Sequence, residues 1–153
     1  MTTLPKDYAD PCYHNDDAAR IALERIFWPY GPTCPTCGKI DTVTVYGQSK
    51  GKSMGPGWYW CSECREKFTV RVGTVFEKSH VPLHLWFQAA HLLMSSKKGI
   101  SSNQLHRTLG VTLKTAWFMS HRLREAMRIS GARNMGGDGK VVEADETFIG
   151  RLA

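Results

Sequence analysis

The sequence predicts an α+β fold in three parts, and three observations carry that reading. Four cysteines stand in two C-x2-C pairs, Cys34/Cys37 and Cys61/Cys64, among short alternating runs. Helical patterns punctuated by Gly99 and Gly110 follow, in a stretch rich in Lys and Arg. Near the C-terminal end, Val141 to Ile149 alternates as a strand. The expected boundaries are 1–77, 78–133 and 134–153. A length of 153 residues leaves room for one ordinary domain or two small ones. An apolar content of 42% excludes wholesale disorder.

The first part opens with a helix. Asn15 is placed to cap it, and Asp16 and Asp17 fill its first turn, where the helix dipole favours negative charge. Ile21, Leu23, Ile26 and Phe27 give it an apolar side, Trp28-Pro29 ends it, and it is expected to pack on the cysteine-bearing segment. Two residues between cysteines let both sulfurs of a pair aim at one point, and 23 residues separate the pairs. Two such turns brought together offer four thiolates at tetrahedral corners, the geometry zinc prefers. Between and after the pairs, Thr42–Tyr46, Trp58–Trp60 and Phe68–Val72 read as strands, which makes the layout that of a zinc ribbon. Two disulfides are the rival, disfavoured because the N-terminus shows no secretory signal. A redox dithiol normally uses one pair beside a β-α-β unit. A coordination sphere filled by four cysteines is closed, so this Zn2+ would be structural, and four thiolates would lower the formal charge of +6 to about +4. Cys12 reads as a spectator thiol.

The basic charge is concentrated. Residues 78–133 hold nine basic side chains against one acidic, Glu125, which suggests a polyanionic partner met by one region. Pro82 suits the first turn of a helix running to about Ser96, with Leu85, Trp86, Ala89, Leu92 and Leu93 as its stripe and Gly99 closing it. Ser101 and Gln104 form a capping box for a short helix carrying Leu105 and Leu109. Gly110 permits a turn, and Thr112 caps a last helix whose Ala116, Met119, Leu123 and Met127 are expected to face the core. Short helix, glycine turn and longer helix make a helix-turn-helix layout. Lys114 and Thr115 are the candidates for base contacts, and Arg122, Arg124 and Arg128 for phosphates. Trp117 and Phe118 are expected to pack inside. The stretch Val81–Met94 is too short and too interrupted by His84, Gln88 and His91 to span a bilayer, so a soluble, cytoplasmic, nucleoid-associated protein is expected.

In the terminal strand, Val142, Ala144, Glu146 and Phe148 share one face, and Val141, Glu143, Asp145, Thr147 and Ile149 the other. The order helix, CPTCG, WYWCSEC, helix-turn-helix with TAW and HRLR, then VVEADETFIG resembles the zinc-ribbon insertion-sequence transposases of ISXO type, from about Asp16 to Gly150. The resemblance implies that Cys34, Cys37, Cys61 and Cys64 hold structural Zn2+. It also implies that 134–153 begins a ribonuclease-H-like domain, with Asp145 as the first carboxylate of a D-D-E/N set. The complete enzymes use two Mg2+ or Mn2+ ions to cut and join DNA. The later carboxylates of such enzymes lie past residue 153, so this stretch is expected to bind double-stranded DNA at transposon inverted repeats and to be catalytically incomplete alone. It would be an N-terminal fragment or truncated frame, its last strand exposed or paired elsewhere. The resemblance leaves room for a homodimer or a complex with intact transposase. The alternative is a zinc-ribbon, helix-turn-helix transcription regulator.

Overall fold

A computed structural model describes residues 7–46 and 56–128. The terminal strand and Asp145 lie outside the described residues. Within them the fold is α+β: α1 (Asp16–Phe27), an antiparallel sheet of β1 (Val43–Val45), β2 (Tyr59–Cys61) and β3 (Glu66–Phe68), then α2 (Leu83–Ser95), α3 (Ser102–Leu109) and α4 (Leu113–Met127). Strand order is β1-β2-β3, with Thr44 opposite Trp60 and Trp60 opposite Lys67. The third strand ends at Phe68, short of the expected run to Val72, because residues 69–79 break into turns.

Local chemistry sets most helix ends. The Asn15 side chain accepts from the N–H groups of Asp17 and Ala18, and Ser101 accepts from Gln104. Gly110 ends α3 at φ 67, a left-handed conformation that glycine enters without steric cost. Thr112 then accepts from the Thr115 N–H to start α4.

One core holds α1 to the three later helices. Ala19 and Leu23 pack with Val70, Phe76, Leu83, Trp86, Ala89, Leu93, Leu105, Ala116, Met119 and Leu123. The apolar side expected for α1 is therefore corrected: Leu23 is buried, but Ile21, Ile26 and Phe27 are exposed. The small Ala19 and the Leu23 one turn on fit against α2, and that stripe lies off the Ile/Phe side. Trp28, which caps the end of α1, packs on the sheet, meeting the rings of Tyr59 at 5.2 Å and Phe68 at 5.9 Å edge-on. Met127, expected inside, is exposed as the last residue of α4.

The start of α2 has no capping side chain of its own: Pro82 cannot supply one. Asp16 of α1 does so across 67 positions, its carboxylate accepting the Leu83 N–H. The same oxygen lies 3.8 Å from the Arg71 guanidinium and 3.9 Å from His84 Nδ1. Arg71 in turn donates to the carbonyls of Ser79 and Val81. One carboxylate thus ties α1, the 69–82 connection and α2 together. Asp16→Ala is expected to cost about 1–3 kcal/mol, the range for losing a charged cap and stranding its partners. A urea-denaturation midpoint unchanged from wild type would refute that role.

Candidate metal centre and nucleic-acid interface

Each cysteine pair sits on a turn of the same design. The residue after the second cysteine is left-handed in both: Gly38 at φ 72 and Arg65 at φ 54. In the first turn the Gly38 N–H donates to the Cys34 carbonyl at 2.9 Å, and the Cys34 N–H to the Lys39 carbonyl at 3.0 Å. Cross-braces join the turns: Lys39 pairs with Glu63 at 2.5 Å, and the Thr36 hydroxyl donates to Glu66 at 2.9 Å. The four Sγ atoms lie within 4.8 Å of one another. Cys34 and Cys64 are 3.9 Å apart and Cys37 and Cys61 3.7 Å. A disulfide would need about 2.05 Å. Zinc–thiolate bonds of about 2.3 Å in a tetrahedron place sulfurs about 3.8 Å apart, so the cluster fits zinc.

The electrostatics agree. Cys61 is held down at about 6, first by the Cys64 main-chain N–H, with further help from the Thr42 hydroxyl and the Glu63 N–H. Cys64 is pushed up to about 12, first by its hydrogen bond with Cys37 and then by loss of water. One thiolate among four sulfurs opposes ionisation of its neighbours, and a divalent cation removes that conflict. Cys12 is different. Burial, then the Asp10 carboxylate, push it up to about 12 away from the cluster, which makes it an unreactive thiol.

The candidate DNA-contacting residues all fall on α4 or its end, but not in equivalent settings. Lys114 is exposed on the first turn. The Thr115 hydroxyl is 2.8 Å from that of Thr112, so it belongs to the cap. Arg122 donates to the Glu77 carbonyl at 2.9 Å and Arg124 to the Ile100 carbonyl at 3.1 Å. Arg128 reaches Glu125 at 3.4 Å. Arg122 and Arg124 therefore brace α4 against neighbouring loops, with guanidinium donors to spare.

The expectation for Trp117 and Phe118 is overturned. Trp117 is 55% exposed, Phe118 45% and Leu113 46%. The inward positions are filled by Ala116, Met119, Ser120 and Leu123, which turns 117 and 118 outward. Trp117 meets His121 with ring centres 4.2 Å apart and planes tilted by 49°, and the Arg122 guanidinium lies 5.1 Å from the centre of the Phe118 ring. Ser102, Asn103, Leu113, Lys114 and Trp117 line a groove of about 650 Å3. Its lining holds no carboxylate. A larger cleft of about 710 Å3 beside α1 mixes both signs of charge, with Asp16, Asp17 and Glu77 facing Arg20, Lys67, Arg71 and Lys78. Helical periodicity could have found the outward pair, because 116, 119 and 123 already complete a stripe.

Among the described residues no helix is long and apolar enough to cross a membrane. Residues 14–67 match the family model described as the transposase zinc-ribbon domain. The chain is also similar to an uncharacterized protein in transposable element ISH50 of Halobacterium salinarum, with 31% identity over 127 residues. That match covers 83% of this chain and 40% of the relative, so the chain spans less than half of the longer protein. No solved structure matches it. The cysteine cluster and the family match together support a structural zinc site, and both similarities support a role related to insertion-sequence transposases.

Proposed function

We propose that this chain is the DNA-docking portion of an insertion-sequence transposase. Residues 1–77 form the ribbon part, 78–133 a helix-turn-helix unit built from α2, α3 and α4, and 134–153 the start of a ribonuclease-H-like catalytic part. The unit seats the first turns of α4 in the major groove at a transposon end, with Lys114 and Thr115 at the bases and Arg122, Arg124 and Arg128 along phosphates. The supporting observation is the pairing of a carboxylate-free groove at the first turns of α4 with a ribbon segment that matches a transposase family. Asp145 is the proposed first metal-binding carboxylate of a D-D-E/N set using Mg2+ or Mn2+. A lone carboxylate holds Mg2+ weakly, so cutting and joining need the further carboxylates of a complete enzyme.

The test is fluorescence anisotropy with duplexes carrying the element's inverted repeat, using zinc-loaded protein. With about four phosphate contacts, affinity should fall about a hundredfold between 50 and 200 mM salt. Asp145→Ala should bind as wild type does, since its part lies in the chemistry. Duplex binding that is absent at low salt would end this reading.

A further inference from the structure

The outward face of α4 has a composition that the docking proposal does not explain. A surface made only to meet phosphates needs cations, yet the contiguous positions 113, 114, 117, 118 and 121 are Leu, Lys, Trp, Phe and His. They follow i, i+3 and i, i+4 spacing and form one stripe over the first two and a half turns. Three of the five are large apolar side chains left about half exposed. Truncating exposed apolar bulk would improve solubility at no cost to the core, so its presence on this face marks a contact surface.

Charge decides the kind of partner. The groove beside Trp117 is lined by Lys114 and by neutral side chains. Glu125 is the one acid in α3 and α4, and it lies about two turns beyond Phe118 and engages Arg128. Arg122 sits against the Phe118 ring, so cation and aromatic are presented together. A cationic, apolar and carboxylate-free stripe complements a polyanion that also exposes apolar groups. In the duplex major groove, the exposed apolar group on a base edge is the thymine 5-methyl.

Resting on the docking reading above, we propose that Trp117 and Phe118 are specificity-determining residues that read thymine methyl groups, with Leu113 widening the apolar contact and Lys114 fixing the register on the groove. The preferred site is then thymine-containing at the positions under the second turn of α4. Arg122 holds Phe118 in place through its ring contact while its hydrogen bond to the Glu77 carbonyl anchors it to the scaffold.

The experiment begins by letting the protein choose its own site. Zinc-loaded protein selects duplexes from a random-sequence pool, and the winner is resynthesised with deoxyuridine in place of each thymine in turn, which deletes one methyl and leaves every hydrogen-bonding group. Burying one methyl corresponds to about a fourfold change in affinity. The expected result is a weakening of about fourfold at one or two thymines, which disappears in Trp117→Ala or Phe118→Ala proteins whose circular dichroism matches wild type. A selected site without thymine would overturn the proposal. So would equal binding of uracil and thymine duplexes, or a weakening that persists in both variants. In those cases duplex binding itself survives, so the docking reading stands; if no duplex is bound at all, both fall.

Discussion

Zinc removal is expected to collapse the ribbon while much of the helical core remains. The ribbon's own interior consists of Cys34, Tyr59, Cys61 and Phe68, with Trp28 against it. So few side chains cannot hold three strands of three residues each. A structural zinc site contributes about 10–16 kcal/mol of apparent binding free energy, which in such modules is folding free energy. Cys61→Ser should act like chelation, because Cys61 is fully buried and receives N–H groups of the second turn. The readout is amide NMR. Resonances of the ribbon residues should lose dispersion after chelation and return with Zn2+, whereas those of Trp86 and Leu105 should persist. Retained dispersion in the ribbon without metal would show that hydrophobic packing suffices there. Acidification should mimic chelation, since protons compete with zinc for the thiolates.

The second large effect is in the helical core. Trp86 is 0% exposed, lies 5.4 Å from the Phe76 ring, and donates its indole N–H to the Ser79 hydroxyl at 3.1 Å. Trp86→Ala removes the largest buried side chain among the described residues and one of the two hydrogen bonds that the Ser79 hydroxyl accepts, leaving that from the Val81 N–H. A loss of about 3–5 kcal/mol is expected, a large part of the 5–15 kcal/mol that usually separates folded from unfolded domains. Equilibrium urea unfolding followed by helical circular dichroism measures it. A loss below about 1 kcal/mol would mean that the site collapses around the cavity and that α2 is not the centre of the core.

What the sequence discloses follows the range of the interactions. The C-x2-C pairs, the Asn15, Ser101 and Thr112 caps, and the Gly110 turn are decided within a few residues, and each is present. The role of Asp16 is hidden in the sequence, because its partner Leu83 is 67 positions away and nothing near Asp16 announces it. The burial of Ala19 in place of Ile21 or Phe27 is hidden for a related reason. Which side of α1 turns inward depends on the shape of α2, and hydrophobicity alone favours the larger residues. Trp117 and Phe118 fall to the same bias: a large apolar residue in a helix reads as core unless the stripe beside it is already complete. Arg122 and Arg124 read as free cations in sequence, but the fold ties each to a carbonyl of a distant loop. Asp145 stays an inference from motif order, since it lies outside the described residues.

An amide NMR titration of zinc-loaded protein with duplex DNA at low salt tests the central claim, that α4 presents the DNA-contacting face, most directly. The account predicts that the largest shifts fall on Leu113 to His121 and on Ser102 and Asn103 across the groove, with small changes along the sheet. Perturbations confined to the ribbon, leaving Lys114, Trp117 and Phe118 unmoved at saturation, would contradict it.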